Sequence, residues 1–316
     1  MKSLYSIIIV TKNNETTIKY TLKSTLLLAK NFDVELVVMD GNSTDRTISI
    51  VKHFVEVNKS YYASLKILRD PGTSLSLARH LGFKNSEGEV TIFLDGDTPF
   101  TSSFKYYLES ELKGYDLITP VFEIVALDRA TEIFNEFMKV AMDVAHIQRY
   151  SFINVESFKN QSFHPQAARI YRREVLERIG GYPLSSKFFC EDRLATAIAV
   201  RLGFRHKFSW KLKLLKIDEP SYIIYWKKHF RYGLGIHRDL SNLGKQLLKG
   251  YILLRRLNHI NVVLPVFSLI YAFIQYRLSK NLRKAVDVAL MKYFIDTAML
   301  LGDLAGFLIP KSNERN

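Results

Sequence analysis

The first hundred residues alternate between short apolar runs and segments with helical periodicity. The apolar runs predict buried strands at 6–10, 34–40, 65–68 and 90–94. The periodic segments predict helices at 16–29, 44–57 and 74–86, the second of them capped by Ser43 or Thr44. This alternation is typical of right-handed βαβ units, so we expect an α/β fold built on a mostly parallel sheet.

The middle of the chain has a mixed pattern. Strands are expected at 115–121 and 166–171. Helices are expected at 127–149, at 172–179 where Gly180-Gly181 ends the helix, and from Cys190-Glu191-Asp192 to about 202. This region therefore continues the α/β pattern with less regular spacing.

Polar residues follow three of the predicted strands. They are Thr11–Glu15, Asp40 and the tripeptide Asp95-Gly96-Asp97. Ligands of open α/β sheets bind beyond the carboxyl ends of the strands, so these residues predict one site at that edge. Two carboxylates separated by one residue suit a hard divalent cation such as Mg²⁺ or Mn²⁺. For Asp40, a turn that starts the Gly41-Asn42 loop is the alternative interpretation.

The C-terminal third is apolar but interrupted. Residues 260–274 are too few to span a bilayer and include Pro265. Residues 285–309 carry four charged side chains, namely Asp287, Lys292, Asp296 and Asp303. Amphipathic helices lying in a membrane interface are the preferred interpretation. A helical pair packed on the rest of the protein or on another subunit, and a true membrane span, are the alternatives.

Composition narrows the possible partners. The single cysteine, Cys190, excludes an internal disulfide and a zinc site made of several cysteines. Strand-like sequence from Ser6 predicts no secretory leader and hence a cytoplasmic protein. Of the net charge of +14, residues 201–260 contribute +11, from fourteen Lys/Arg and three Asp/Glu. Such a block favours an anionic partner, and the apolar segments after it favour a membrane surface over nucleic acid.

Five sequence elements, taken together and in order, resemble glycosyltransferase family 2. They are Ser6–Glu15, Val38–Thr47, Ala78–Gly82 with the run from Gly88 to Asp97, Gly180-Gly181-Tyr182-Pro183, and Glu191-Asp192. The likeness covers about residues 4–235. It implies the GT-A fold, a Rossmann-like mixed sheet with helices on both faces, as a catalytic domain at 1–235. Residues 236–316 would then form a C-terminal membrane-associating region of amphipathic helices.

The resemblance also implies roles for individual residues. Asp192 is the expected general base of an inverting reaction, with Glu191 beside it, and helix capping is the alternative role for Asp192. The expected metal ligands are Asp95, Asp97 and His229. The expected contacts to the nucleotide and its phosphates are Thr11, Asn13, Glu15, Asp40, Arg79, Asp95, Arg169, Lys228 and Arg231.

Two departures from the family pattern refine the expectation. Lys228-His229-Phe230-Arg231-Tyr232 stands where processive members carry Gln-x-x-Arg-Trp, which argues against polymer synthesis. Pro99 stands where relatives often carry a glutamine, so the metal shell must be completed differently.

The resemblance is strongest to membrane-associated mannosyltransferases similar to dolichyl-phosphate mannose synthase. GDP-mannose is therefore the expected donor, with UDP-glucose or another UDP-sugar as the alternative. We expect the acceptor to be a hydroxyl group on a lipid-linked sugar or a glycolipid. The protein itself is expected at the cytoplasmic face of the cell membrane, as a peripheral or monotopic protein. A non-catalytic protein that binds lipid or nucleic acid on the same scaffold is the competing hypothesis.

Overall fold

The chain forms two units. The computed structural model describes residues 4–71, 74–125, 132–134, 136–137, 139–141, 169–184, 191–217, 222–238, 252 and 259–308. The first unit comprises residues 1–124, 166–187 and 191–217, and the second comprises 125–165, 188–190 and 218–316. The helix Tyr222–Arg238 belongs to the second unit, and the domain boundary at 235 stays a prediction.

The first unit has seven described strands and six described helices. The strands are β1 Tyr5–Thr11, β2 Val34–Asp40, β3 Ser64–Arg69, β4 Val90–Asp95, β5 Leu117–Ile124, β6 Ile170–Arg172 and β7 His206–Lys216. The helices are α1 Ile18–Ala29, α2 Thr47–Asn58, α3 Leu75–Lys84, α4 Phe104–Leu112, α5 Arg173–Arg178 and α6 Glu191–Arg201. The unit is therefore mixed α/β, as the sequence predicted.

The sheet brings particular chain segments to one edge. Its strand order is β3-β2-β1-β4-β6-β5-β7. β6 is antiparallel to both β4 and β5, and every other pairing is parallel. The carboxyl ends of β1, β2, β4 and β7 therefore lie at the same edge of the sheet as the start of the antiparallel strand β6. Every residue of β1 and β2 is buried, because helices cover both faces of this sheet.

Two features of the first unit differ from the sequence-based predictions. α4 and the eleven-residue strand β7 were not predicted. The predicted cap of α2 is wrong, since the helix begins at Thr47. Ser43 and Thr44 are instead bonded to Asn13 of the neighbouring loop. Cys190, residues 166–168 and most of the helix predicted at 127–149 lie outside the described residues.

The second unit is helical where it is described. Its continuously described helices are α7 Tyr222–Arg238, α8 Ile260–Val263, α9 Val266–Ser279 and α10 Leu282–Leu308, and residues 132–134, 136–137 and 139–141 are helical as well. Pro265 separates α8 from α9, where the missing N–H of proline is tolerated at a helix start. α7 and α10 approach so closely that a Cβ on Gly302 would collide with the backbone carbonyl of Phe230. Among the described residues, no helix has the length and apolar composition needed to cross a bilayer.

Candidate active site

The turn Asp95-Gly96-Asp97 is fixed against β1 and α1. The Gly96 amide donates to the carbonyl of Val10 at 3.0 Å. Its own carbonyl accepts from the hydroxyls of Thr17 and Thr21 at 3.3 and 3.1 Å. A Cβ at position 96 would lie 2.6 Å from Thr11 Oγ1. Only glycine therefore lets the backbone approach this closely between the two aspartates.

Asp97 is held beside the end of β7. The Ile217 amide donates to the Asp97 carbonyl at 2.9 Å, and the Leu215 amide donates to the Pro99 carbonyl at 2.8 Å. These bonds bring Lys216 to the turn, with its Nζ 2.5 Å from Asp97 Oδ1 and 3.9 Å from Asp95 Oδ2. Lys216 was not among the predicted site residues. Lys216 ends the lysine-rich stretch 211–216, and the sequence pattern did not predict this stretch as a strand.

Arg79 lies beneath the turn. α3 packs tightly on the sheet at Gly82, where a Cβ would lie 2.5 Å from Ile8 Cγ2. One turn earlier, Arg79 is 1% exposed and donates to Asp95 Oδ1 at 2.8 Å and to Glu191. Arg79 thus bridges two carboxylates inside the unit, and a phosphate contact for it stays a prediction.

Arg169 approaches from the antiparallel strand. It directly precedes β6, and its guanidinium lies 3.3 Å from Asp95 Oδ1 and 3.7 Å from Asp192 Oδ2. Asp192 stands in the first turn of α6, where its Oδ1 also accepts from the Arg193 amide at 2.9 Å. The predicted base is therefore linked to the Asp95 turn through one arginine.

These contacts form one alternating network of charges. The ion-pair network consists of Arg79, Asp95, Asp97, Arg169, Glu191, Asp192 and Lys216. Four carboxylates and three cations leave it with a formal charge of −1. The sequence had predicted six of the seven members, and the fold brings all seven together.

The network separates the ionisation of two of its carboxyl groups. Burial opposes ionisation of Asp95, but Arg169, Arg79 and Lys216 outweigh it and hold the pKa of Asp95 well below its usual range. Burial and the neighbouring Asp192 raise the pKa of Glu191 despite the opposing charge of Arg79. The Asp95 end thus keeps its negative charge, whereas Glu191 is the member that more readily holds a proton.

The two loops beyond β1 and β2 bind each other. Asn13 has a left-handed backbone conformation with φ 53°. Its backbone N–H donates to Ser43 Oγ at 2.9 Å, and its side-chain Oδ1 accepts from the backbone N–H of Thr44 at 2.8 Å. The amide of Glu15 donates to Asp45 at 3.1 Å. The loops form a continuous polar edge of exposed and half-buried residues, which is the position predicted for the nucleotide.

Besides Asn13, three other predicted nucleotide contacts lie in or beside this edge. Asp40 is buried and both its carboxylate oxygens accept from the Ser43 amide at 3.2 Å, so the turn role is present. Thr11 donates to Asn14 Oδ1 at 3.0 Å. The Glu15 carboxylate accepts from the amide of Arg46 at 3.0 Å. Their contacts to a nucleotide stay predictions.

The Gly-Gly-Tyr-Pro turn is tied to α3. Gly181 has φ 90° and contacts His80, whose Nδ1 lies 3.2 Å from the Tyr182 carbonyl. Ser76 donates to the carbonyl of Pro183. The turn therefore docks on the helix that carries Arg79, which accounts for glycine at position 181.

The carboxylates suit a divalent ion that arrives with a phosphate-bearing ligand. Within the described ranges, no group of three His, Cys, Asp or Glu side chains has metal-binding geometry. Asp97 is about one fifth exposed, and Asp95 is engaged by two arginines. Mg²⁺ is commonly bound by one or two carboxylates together with substrate phosphates. Asp97, with Asp95 behind it, would hold such an ion.

Three predicted residues lie in the second unit. Lys228, His229 and Arg231 are on α7, and His229 Nδ1 lies 2.8 Å from the carbonyl of Tyr225 on the same helix. The His229 ring also contacts Phe134 within that unit. Their roles as a metal ligand and as phosphate contacts stay predictions.

Comparison with known proteins identifies the family. The profile described as Glycosyl transferase family 2 matches residues 6–180, more than half of the chain. The chain belongs to glycosyltransferase family 2. It is 23% identical over 311 residues to "Probable glycosyltransferase YdaM" of Bacillus subtilis (strain 168), covering 96% of this chain and 70% of that protein.

Solved structures agree on the fold. The mannosyltransferase PcManGT from Pyrobaculum calidifontis, in complex with GDP-Man and Mn²⁺, superposes with a TM-score of 0.63 at 15% identity, over 98% of this chain and 88% of that one. S. aureus TarS 1–349 in complex with UDP-GlcNAc superposes with a TM-score of 0.51 at 16% identity, over 96% and 91%. The expected GT-A fold is confirmed. At these identities the likeness extends to the fold alone.

Proposed function

We propose that this glycosyltransferase moves a sugar, with inversion, from a nucleotide diphosphate donor to a hydroxyl acceptor. The observation that carries the proposal is the ion-pair network. It connects the Asp95-Gly96-Asp97 turn, beside the polar nucleotide edge, with Asp192 through Arg169. A donor diphosphate at Asp97 and an acceptor at Asp192 would then share one edge of one sheet.

The chemistry divides between the two ends of the network. A divalent ion bound with the donor would neutralise, as a Lewis acid, the charge that develops on the departing diphosphate. The Asp192 carboxylate takes the proton of the acceptor hydroxyl as its oxygen bonds to the anomeric carbon. The bond from that carbon to the diphosphate breaks, and its electron pair leaves with the diphosphate. Arg169 positions Asp192 for this step.

Asp192→Asn tests the base. We expect transfer to fall by about 10²–10⁴-fold, because a positioned base supplies an acceleration of that order. Binding of the nucleoside diphosphate with Mn²⁺, measured by calorimetry, should stay unchanged. Wild-type turnover in this variant would exclude Asp192 as the base, and lost nucleotide binding would indicate a structural role at the start of α6.

We propose GDP-mannose as the donor, and UDP-glucose or another UDP-sugar as the alternative. The resemblance to polyprenol-linked mannosyltransferases motivates this order. PcManGT with GDP-Man and TarS with UDP-GlcNAc represent the two donor classes among proteins of similar fold. A panel of nucleotide sugars with Mn²⁺ tests it by thermal stabilisation, since a ligand at 100 times its dissociation constant adds about 2.7 kcal/mol. Stabilisation by UDP-sugars and not by GDP-mannose would reverse the order.

We further propose that the second unit docks on the anionic cytoplasmic face of a membrane and thereby gives access to a lipid-linked or glycolipid acceptor. Supporting this, many large apolar side chains of the unit are exposed. Among its described residues eleven are more than half exposed, namely Ile223, Val263, Leu264, Val266, Leu269, Phe273, Leu278, Leu282, Leu290, Phe307 and Leu308. We call these residues the apolar surface of the second unit. Basic residues cluster around the junction of α9 and α10, namely Arg277 in α9, Lys280 between the helices, and Arg283 and Lys284 in α10. Such a cluster suits anionic headgroups.

Vesicle sedimentation tests the docking. Phe273→Glu should weaken binding to anionic vesicles at least tenfold, because it places a charge in the apolar surface. Val57→Glu is the matched control, since Val57 is equally exposed on α2 of the first unit. Equal binding of both variants would exclude the apolar surface of the second unit as the lipid contact.

A further inference from the structure

Lys216 differs from the other two cations of the ion-pair network. The Arg79 side chain is 1% exposed and the Arg169 side chain is 12% exposed. The Lys216 side chain is 19% exposed, the largest exposed fraction of the three cations. A lysine ammonium is a compact charge on a flexible stem, whereas an arginine fork holds a fixed geometry. Lys216 is therefore the cation of this network best able to move.

Its backbone, in contrast, is fixed. The amides of Leu215 and Ile217 donate to the carbonyls of Pro99 and Asp97 at 2.8 and 2.9 Å. The Cα of Lys216 thus keeps its position beside the Asp95-Gly96-Asp97 turn whatever its side chain does. The ammonium already lies between two carboxylates, at 2.5 Å from Asp97 and 3.9 Å from Asp95.

Lys216 occupies the carboxylate oxygen that a divalent ion would need. Asp97 Oδ1 accepts from Lys216 Nζ and from Thr98 Oγ1 at 3.0 Å. An ion that binds Asp97 must therefore compete with the lysine for that carboxylate. A displaced ammonium on this fixed backbone stays within reach of an anionic group bound at the same edge.

We propose that Lys216 is a resident cation of the donor site: it holds Asp97 in the free enzyme and contacts the donor diphosphate once a divalent ion takes Asp97. The inference rests on the proposed function. In this account the lysine lowers the affinity of the free enzyme for metal and raises its affinity for the nucleoside diphosphate when metal is present. Metal and donor therefore bind together.

Lys216→Met tests both effects with binding measurements. We expect Mn²⁺ alone, titrated by electron paramagnetic resonance, to bind about tenfold more tightly, because a charged hydrogen bond to Asp97 is removed. GDP and UDP in saturating Mn²⁺, titrated by calorimetry, should bind about tenfold more weakly. Lys216→Arg should restore part of the diphosphate affinity. Lys213→Met on the same strand, whose lysine pairs with Glu123, should change neither value.

Unchanged or weaker Mn²⁺ binding in Lys216→Met would overturn the proposal, as would unchanged diphosphate binding in saturating Mn²⁺. A lysine that only stabilises the fold would lower the thermal midpoint without tightening Mn²⁺ binding. Failure of the proposed function looks different, because the wild type itself would then bind neither GDP nor UDP in the presence of Mn²⁺.

Discussion

The two units differ in where their polar and apolar side chains lie. In the first unit, β1, β2 and β4 bury apolar residues, and the ion-pair network gathers at the ends of strands. Helices α8 to α10 of the second unit bury apolar residues such as Val288 and Ile295, but they also bury polar ones, and most of their leucines are exposed. The buried polar residues are Asn261, Ser268, Gln275, Lys292, Asp296 and Asp303. The first arrangement suits a surface in water, and the second suits a surface in contact with apolar surroundings.

The buried polar groups in these two regions have partners of different kinds. In the first unit the partners are opposite charges, with Arg79 between Asp95 and Glu191. In the second unit a buried ion pair, Lys292 with Asp296, also has neutral partners, because Asn261 donates to Asp296 and to Ser268 at 2.8 Å each. Removing a charged member such as Arg79 should therefore cost more than removing a neutral one such as Asn261, because a buried charge then loses its counter-ion.

Arg79→Met should have the largest effect on stability. It leaves Glu191 without its described ion pair and removes one of the cations on Asp95, so we expect a loss of about 3–5 kcal/mol in the free energy of unfolding. Urea unfolding monitored by circular dichroism measures it. Arg46→Met removes an exposed pair with Glu15 and should cost less than about 1 kcal/mol. Equal losses in the two variants would remove the distinction between network and surface pairs.

Asn261→Ala should have an intermediate effect. The substitution deprives Ser268 and Asp296 of a buried partner, which costs about 1–3 kcal/mol. Thermal unfolding with anionic vesicles present measures the loss. Thr297→Ala is the control, because the Thr297 hydroxyl donates to the carbonyl of Tyr293 on its own helix, and its loss should cost about 0.5 kcal/mol or less. A loss in Asn261→Ala as large as that in Arg79→Met would contradict the comparison.

Glu111→Gln should have the smallest effect, and that effect should depend on pH. Burial opposes ionisation of Glu111, but hydrogen bonds from Ser209 and Lys207 outweigh it and lower its pKa. A carboxyl group with a lowered folded-state pKa stabilises above its unfolded pKa, and that contribution disappears as pH falls through the folded value. The variant should be about 1 kcal/mol less stable at pH 7.

Unfolding in urea at pH 7 and pH 4 measures that difference, which should shrink at the lower pH. Glu109→Gln, exposed on the same helix, should behave as wild type at both values. A difference between Glu111→Gln and wild type that is the same at both pH values would show that packing, and not charge, accounts for the effect.

Much of the first unit was predictable because its strands are buried on both faces. Continuous apolar runs such as Ile7–Val10 have no other stable position, and β2 lies where it was predicted. β7 escaped prediction because it alternates lysines with apolar residues, and its pairing with β5 skips three residues after Ser209. The position of Lys216 depends on that pairing, so local pattern alone does not reveal it.

The helix cap of α2 shows a second limit of local pattern. Ser43 and Thr44 are strong capping residues, yet they bond Asn13, thirty and thirty-one residues earlier in the chain. A long-range contact thus overrides a local preference. The carboxylates of the candidate site were predictable because they follow strand ends, whereas the pairing of each with a particular cation depends on the sheet order.

The most direct test of the central claim is release of nucleoside diphosphate from a nucleotide sugar. We expect the full chain, with Mn²⁺ and anionic vesicles carrying lipid-linked acceptor, to release it from GDP-mannose and to form a product of inverted anomeric configuration. Asp97→Asn should lower that rate about 100-fold or more, because Lewis-acid stabilisation is worth several kcal/mol. Asp116 lies at the opposite edge of the sheet, where its carboxylate accepts from the Arg205 amide, so Asp116→Asn should leave the rate unchanged. No release from GDP-mannose or any UDP-sugar, or equal rates in the two variants, would contradict the account.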